Sequence, residues 1–147
     1  MGMYTEIHYN AELKKDVPDE VIAVLKYMMD SDRLVPPPLP DHPLFETDRW
    51  VIMFQCDSYY FSADTHSTLR FDDISKSYFL CIRSNLKNYD NEIEKFIDWI
   101  SPYLDEWRED YLGHYRYEES TIPTLIFGCG TYTPKEEDIN NALRESS

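Results

Sequence analysis

The sequence predicts an α+β protein, a two-layer sandwich with a mainly antiparallel sheet of five to six strands. Two principal helices lie on one face of this sheet, and a short helix ends the chain. The main observation is an internal similarity: residues 19–28 (DEVIAVLKYM) align without gaps on residues 91–100 (NEIEKFIDWI), and each follows a strand-like run ending in Leu-Lys. With 147 residues, the chain has the size of one domain, and we expect residues 1–147 to form a single domain.

The first copy of the similar segment begins with a strand and continues as a helix. Tyr4 to Leu13 (YTEIHYNAEL) is rich in β-forming residues with partial alternation, which indicates a strand. Val21, Val24, Leu25 and Met28 then recur at i, i+3, i+4 and i+7, so they share one face of an amphipathic helix.

Residues 31–48 are predicted to be a stiff connector that crosses the domain. They contain the prolines Pro36, Pro37, Pro38, Pro40 and Pro43. Proline lacks a backbone N–H and excludes a continuous helix, and a polyproline II segment is extended.

The middle of the chain predicts a hairpin, an edge strand and a further strand. Trp50 to Cys56 (WVIMFQC) is a dense apolar run of strand length, and Ser58 to Ala63 (SYYFSA) is a second. Leu69 to Asp73 is a candidate for a short edge strand. Ser77 to Leu86 (SYFLCIRSNL) predicts the strand that opens the second copy.

The second helix is predicted to begin near Asp90 and to extend for about five turns. Its apolar positions are Ile93, Phe96, Ile97, Ile100, Leu104, Trp107 and Tyr111. Because Pro102 falls inside this pattern, we expect a kink or a restart there. The opposite face of the helix would be the most acidic surface of the chain.

The C-terminal part predicts two strands and a helix. His114 to Glu119 and Pro123 to Phe127 have strand composition. Thr133 to Glu136 (TPKE) matches a capping box with proline at the first helical position, so we expect a helix over residues 133–145.

The resulting order is strand, helix, hairpin, strand, helix, two strands and a terminal helix. A strand-helix-strand unit that is repeated with antiparallel partners resembles the ferredoxin-like, split βαβ arrangement. The resemblance implies that both principal helices lie on one face of the sheet.

The charge of the chain favours a basic partner over a nucleic acid. The net charge is −14, from 28 acidic and 14 basic residues, and no basic run offsets it, so we expect no direct binding to phosphate backbones. An acidic surface attracts basic proteins, and tyrosine is common in interfaces. The residues predicted to bind a partner are Asp98, Asp105, Glu106, Glu109, Asp110, Tyr115 and Tyr117.

Catalytic, metal and cofactor sites are not predicted. The histidines His8, His42, His66 and His114 have no metal-ligand spacing, and the cysteines Cys56, Cys81 and Cys129 form no CxxC pair. Cys129, between two glycines, is the best nucleophile in the chain. Acidic surroundings would raise the pKa of its thiol and blunt its reactivity, so we do not expect an enzyme.

The leading hypothesis is therefore a small acidic interaction module, such as an inhibitor or immunity-type protein, that binds a basic protein surface. One alternative is a small-molecule-binding or enzymatic α+β domain with a pocket between sheet and connector. Another is a structural, self-associating subunit, so a homo-oligomer stays possible. No apolar stretch approaches the ~20 residues of a membrane helix and no leader-like segment is visible, so we expect a cytoplasmic protein without a membrane association.

Overall fold

A computed structural model describes residues 3–57 and 65–145, and it has an α+β fold with one antiparallel sheet of six strands and three helices. The coarse prediction of an α+β protein with a mainly antiparallel sheet of five to six strands is confirmed. The strands are β1 (Thr5–Glu12), β2 (Thr68–Asp72), β3 (Ser77–Leu86), β4 (Tyr111–Tyr117), β5 (Thr124–Phe127) and β6 (Gly130–Tyr132). The helices are α1 (Asp19–Met29), α2 (Glu92–Ile100) and α3 (Glu136–Glu145).

β1 is an interior strand of the sheet, whose order is β2-β3-β1-β4-β5-β6. It pairs with β3 along its whole length, with Tyr9 opposite Ile82, and with β4 on its other side, where Tyr9 lies opposite Gly113. α1 follows β1 in the chain and α2 follows β3. β2 and β6 are the two edges of the sheet.

The alternation of side chains along β1 separates the core from the outer face of the sheet. Ile7, Tyr9 and Ala11 are buried, whereas His8 is only partly buried and Asn10 is exposed, as expected for a strand with one covered face. The buried residues of β1 and β3 belong to the same core cluster as the apolar faces of α1 and α2. That face of α1 contains the four residues that the sequence predicted.

The connector is held against α2 and against Trp50 by aromatic contacts. It forms a short 3₁₀ helix, Pro43–Glu46, in which Leu44 is fully buried. The Phe45 ring lies edge-to-face with Trp50 at 4.9 Å and with Trp99 of α2 at 5.2 Å between ring centroids. Such aromatic pairs add to the stabilisation from burial alone.

The predicted strand Trp50 to Cys56 is wrong. This segment forms a 3₁₀ helix, Trp50–Ile52, followed by a turn. Trp50, Met53 and Phe54 are buried. Their spacing of i, i+3, i+4 places the three side chains on one side of a helical turn. The second half of the predicted hairpin, Ser58 to Ala63, lies outside the described residues.

The predicted length of the second helix is also wrong. α2 ends at Ile100, and Ser101–Tyr103 form a single 3₁₀ turn. Pro102 cannot continue the α-helical hydrogen bonding, and the chain after this turn is extended, with a bridge between Leu104 and Leu13.

The C-terminal strands are close to their predicted positions, with one addition. β6 was not predicted, and it pairs antiparallel to β5. α3 begins at Glu136, three residues after the predicted start of residues 133–145. Within the part of the chain that the structure describes, no helix is long and apolar enough to cross a membrane.

Gly113 is required by the close approach of β4 to β1. Its φ is +153°, and a Cβ at this position would overlap the backbone oxygen of His8. We predict that Gly113→Ala lowers the free energy of unfolding by about 2–5 kcal/mol, through backbone strain and steric overlap. Urea denaturation followed by tryptophan fluorescence measures this change.

Gly130→Ala is the matched control for backbone strain alone. Gly130 has a φ of +141°, and a Cβ there would meet nothing within 4 Å, so we expect a loss of only about 1 kcal/mol. Equal losses for the two variants would show that the overlap with His8 is relieved at no cost, contrary to the prediction.

Candidate functional site

Residues 104–110 (LDEWRED), which we call the acidic segment, connect the end of the α2 region to β4. The end of β1 holds this segment in place. The Asp105 N–H donates to the Glu12 carbonyl at 2.9 Å, and the Glu12 N–H donates to Glu106 Oε1 at 2.8 Å. Just before the acidic segment, the Tyr103 carbonyl accepts a hydrogen bond from the Lys14 N–H at 2.8 Å. The acidic segment is therefore fixed to an interior strand of the sheet.

The turn between β5 and β6 holds the other side of the acidic segment. The Gly128 N–H donates to the Asp110 carbonyl and the Cys129 N–H donates to the Arg108 carbonyl, both at 3.0 Å. A Cβ on Gly128 would overlap the backbone oxygen of Trp107, so glycine is needed for this close contact. These bonds give the acidic segment a defined backbone conformation.

Trp107 lies at the tip of the acidic segment and is 79% exposed. The backbone N–H of Trp107 donates to Asp110 Oδ2 at 2.8 Å, and the backbone N–H of Asp110 donates to the Trp107 carbonyl at 3.1 Å. The sequence pattern placed Trp107 on the apolar face of a longer second helix, and this was wrong. An exposed tryptophan is unusual because it leaves a large apolar surface in water.

Four of the acidic residues predicted to bind a partner flank Trp107 in the acidic segment. They do not lie on a helix, although the sequence placed them on the face of one. Asp105 and Glu109 are exposed, and Glu106 and Asp110 are partly buried. Burial raises the pKa of Glu106 above its ordinary value, and repulsion by Asp110 and Glu12 raises it further, whereas the hydrogen bond from the Glu12 N–H lowers it. The segment thus combines two exposed carboxylates with two that accept backbone N–H groups, Glu106 from Glu12 of β1 and Asp110 from Trp107.

Asp98 is the predicted site residue that lies on α2. Its side chain is exposed, and Oδ2 is 2.9 Å from His42 Nε2, while the His42 Nδ1 atom accepts the Leu44 N–H at 3.1 Å. Asp98 and Leu104 line the same cleft. The structure therefore brings Asp98 close to the start of the acidic segment.

Tyr115 and Tyr117 are not part of this group. They lie in the second half of β4, whose first residue, Tyr111, follows the acidic segment, so a strand length of about 20 Å separates Tyr117 from it. Burial raises the pKa of Tyr115, and nearby Glu94 raises it further. The two tyrosines line a separate cleft of about 270 Å³ with Tyr89. The predicted site residues therefore form two groups.

The histidines and cysteines have mainly structural surroundings. His8 stacks on His114 across β1 and β4, with 4.9 Å between ring centroids, and burial, together with the neighbouring His114, lowers the pKa of His8. The His66 N–H donates to the Arg83 carbonyl. Cys129 is an exposed free thiol. Over residues 3–57 and 65–145, no group of three or more His, Cys, Asp or Glu side chains is arranged to hold a metal ion.

Comparison with known proteins adds no relative. No protein-family model matches the chain, and neither a curated protein nor a solved structure matches it at a significant level.

The raised pKa of Glu106 leads to a prediction about stability and pH. The folded state favours the protonated carboxyl of Glu106. The stabilisation from this protonated group is therefore fully present below the ordinary pKa of 4.5, and it is lost as the pH rises through the higher pKa of the folded state. We predict that Glu106→Gln, which keeps Oε1 as an acceptor for the Glu12 N–H, raises the thermal midpoint at pH 7 by roughly 1–3 °C. This gain should shrink as the pH falls below 4.5.

Glu109→Gln removes the same charge from an exposed side chain and is the control. Differential scanning calorimetry of both variants and the unmodified protein between about pH 3 and about pH 8, a range that extends from below the ordinary carboxyl pKa values to above that of histidine, measures the difference. A lower midpoint for Glu106→Gln at pH 7, or an identical effect of both substitutions, would contradict the account of Glu106.

Proposed function

We propose that the protein is an acidic interaction module that binds a basic protein surface through the acidic segment. The observation that supports this most is the exposed side chain of Trp107 among four carboxylates on a backbone held from both sides. Inhibitors and immunity-type proteins are examples of this class. The tyrosine group, Tyr115 and Tyr117, would belong to the edge of the contact or to a second one.

The chemistry of the acidic segment suits lysine and arginine side chains. The face of a tryptophan ring attracts a cation within about 6 Å of its centre, and tryptophan is enriched among the residues that dominate binding energy. Asp105 and Glu109, each two residues from Trp107 in the chain, are exposed and would attract the same cation. Arg108 is the basic residue within the acidic segment, so the carboxylates outnumber the positive charges there.

The fixed backbone of the acidic segment supports the proposal further. Ordering a loop on binding costs free energy, and a loop that is already ordered avoids this cost. Here the end of β1 and the β5–β6 turn supply main-chain hydrogen bonds to residues 105, 108 and 110. Negative charge over the whole chain would add long-range attraction and a faster association with a basic partner.

We infer that β1 to β4 with α1 and α2 form a ferredoxin-like, two-layer unit that arose from a duplicated strand and helix. The order β2-β3-β1-β4, with one helix after β1 and one after β3, supports this inference. The connector, β5 and β6 would be additions, so the order of the whole sheet differs from that of the simple unit.

Two alternative functions predict different results. Self-association through the sheet edges would use β2 and β6, where Phe71 and Tyr132 are exposed, and would appear as a dimer in sizing chromatography. A small-molecule or enzymatic domain would need convergent groups at a cleft, such as the His42 and Asp98 pair. We favour the interaction module in the cytoplasm, where the three free cysteines would stay reduced.

The proposed function predicts that Trp107→Ala reduces capture of the partner by about tenfold or more. The double substitution Asp105→Lys with Glu109→Lys should abolish it, because two attractive charges become repulsive. The measurement is affinity purification from the native host with quantitative mass spectrometry, followed by calorimetric titration of the purified partner at low and moderate salt.

Asp32→Lys with Asp73→Lys is the matched control. Both residues are exposed and lie in turns outside the acidic segment, so this variant has the same net charge as the double substitution. Capture of the partner should survive in the control. If the acidic-segment variants still bind the same proteins at moderate salt, the proposed function is wrong.

A further inference from the structure

A cleft of about 300 Å³ lies between α2 and the β4–β6 part of the sheet, next to the acidic segment. We call it the Tyr9 cleft. Its volume is at the lower end of the range for small-molecule sites. Most of its wall is apolar, and the residues are Ile97, Leu104, Leu112, Ile126 and Phe127. The turn residues Gly128 to Gly130 complete the wall on the side where the backbone holds the acidic segment.

Tyr9 lines this cleft and carries a buried hydroxyl. The residue is 1% exposed, and Tyr9 Oη has no hydrogen-bond partner among residues 3–57 and 65–145. A buried hydroxyl without a partner is costly and rare in folded proteins. Burial raises the pKa of Tyr9, and Glu106 raises it further, so the group stays a neutral hydroxyl that can accept a hydrogen bond from a ligand.

Two carboxylates, Glu94 and Asp98, line the same cleft. Asn88 Nδ2 donates to Glu94 at 2.9 Å, and Tyr115 is a second neighbour of Glu94. His42 Nε2 lies 2.9 Å from Asp98. Among the described residues that line the cleft there is no lysine or arginine. The negative charge of these two carboxylates is therefore not offset by a lysine or arginine of the cleft, so a cationic ligand would be favoured there.

We propose that the Tyr9 cleft binds the extended side chain of a lysine or arginine from the protein partner, an inference that rests on the proposed function. Such a side chain has an apolar stem that packs along the aliphatic wall and a cationic end that needs hydrogen-bond acceptors. Tyr9 Oη and the two carboxylates are acceptors on the wall of one cleft. A purely apolar ligand would leave the Tyr9 hydroxyl unpaired, and an anionic ligand would be repelled by Glu94 and Asp98.

The position of the cleft agrees with this occupant. Leu104 belongs to both the cleft and the acidic segment, and Gly128 and Cys129 donate hydrogen bonds to carbonyls of that segment. A partner with one cation over Trp107 could therefore place a second cationic side chain in the cleft. The cleft would set which spacing of basic residues is recognised, whereas the exposed carboxylates would supply general attraction.

The test is a titration of the full chain with the peptide acetyl-Gly-Lys-Gly-amide, followed by amide chemical shifts. We expect saturable shifts at Leu112, Ile126 and Gly130. Acetyl-Gly-norleucine-Gly-amide, which has the apolar stem without the charge, should bind at least about tenfold more weakly. Spermidine is included because a free polyamine has similar chemistry, and tighter binding of spermidine than of the lysine peptide would overturn the proposal.

Two variants locate the peptide in the cleft. Tyr9→Phe should weaken binding of the lysine peptide by about three- to tenfold without lowering the thermal midpoint, because the hydroxyl has no protein partner to lose. Glu94→Gln with Asp98→Asn should weaken it by at least about tenfold. Asp32→Asn with Asp73→Asn, which removes the same charge elsewhere, should leave the affinity within about twofold.

The outcomes separate this inference from the proposed function. Shifts confined to the acidic segment, or affinities unaffected by the cleft variants, would overturn the binding of a side chain in the Tyr9 cleft. A partner that still depends on Trp107 would at the same time leave the proposed function intact. The lysine peptide could also bind in the cleft while capture of the protein partner is insensitive to Trp107→Ala. That result would support the cleft as a binding site and contradict the acidic segment as the docking surface.

Discussion

The hydrogen bonds that join Glu12 and Lys14, at the end of β1, to residues 103–106 determine the shape of the candidate site. β1 is paired on both sides, so its position is fixed by β3 and β4. Where its pairing with β4 ends, Glu12 and Lys14 bond instead to the chain that returns from α2. The acidic segment thus receives its conformation from the interior of the sheet, although its residues Asp105, Trp107 and Glu109 are exposed to water. A loop tied in this way loses little entropy when a partner binds.

Hydrophobic periodicity was sufficient to predict the elements with one covered face. α1, β1 and β3 were identified because their apolar residues repeat with the period of the element. The run from Trp50 to Cys56 is apolar at nearly every position and so has no period that separates strand from helix. Its buried residues, Trp50, Met53 and Phe54, have helical spacing that the intervening Val51 and Ile52 obscure.

The candidate site was predicted only in part, for a related reason. The carboxylates at 105, 106, 109 and 110 were selected from charge, which does not depend on the secondary structure. Trp107 was placed in the core because the apolar spacing of α2 continues beyond Ile100 by coincidence, and Pro102 should have ended the helix. No pattern in the sequence marks Tyr9, because an unpaired hydroxyl results from what surrounds it in space.

The half-buried carboxylate of Glu106 connects stability to the proposed binding. Its ionised form is disfavoured in the free protein by burial and by Asp110, so the acidic segment is held in a conformation that is not optimal for its own charge. A lysine or arginine that approaches Trp107 or enters the Tyr9 cleft would relieve this repulsion and favour the ionised form. By linkage, a cation that lowers the pKa of Glu106 binds more tightly once that carboxyl is ionised. The feature that costs the free protein stability is therefore the one that would strengthen its contact with a basic partner at neutral pH.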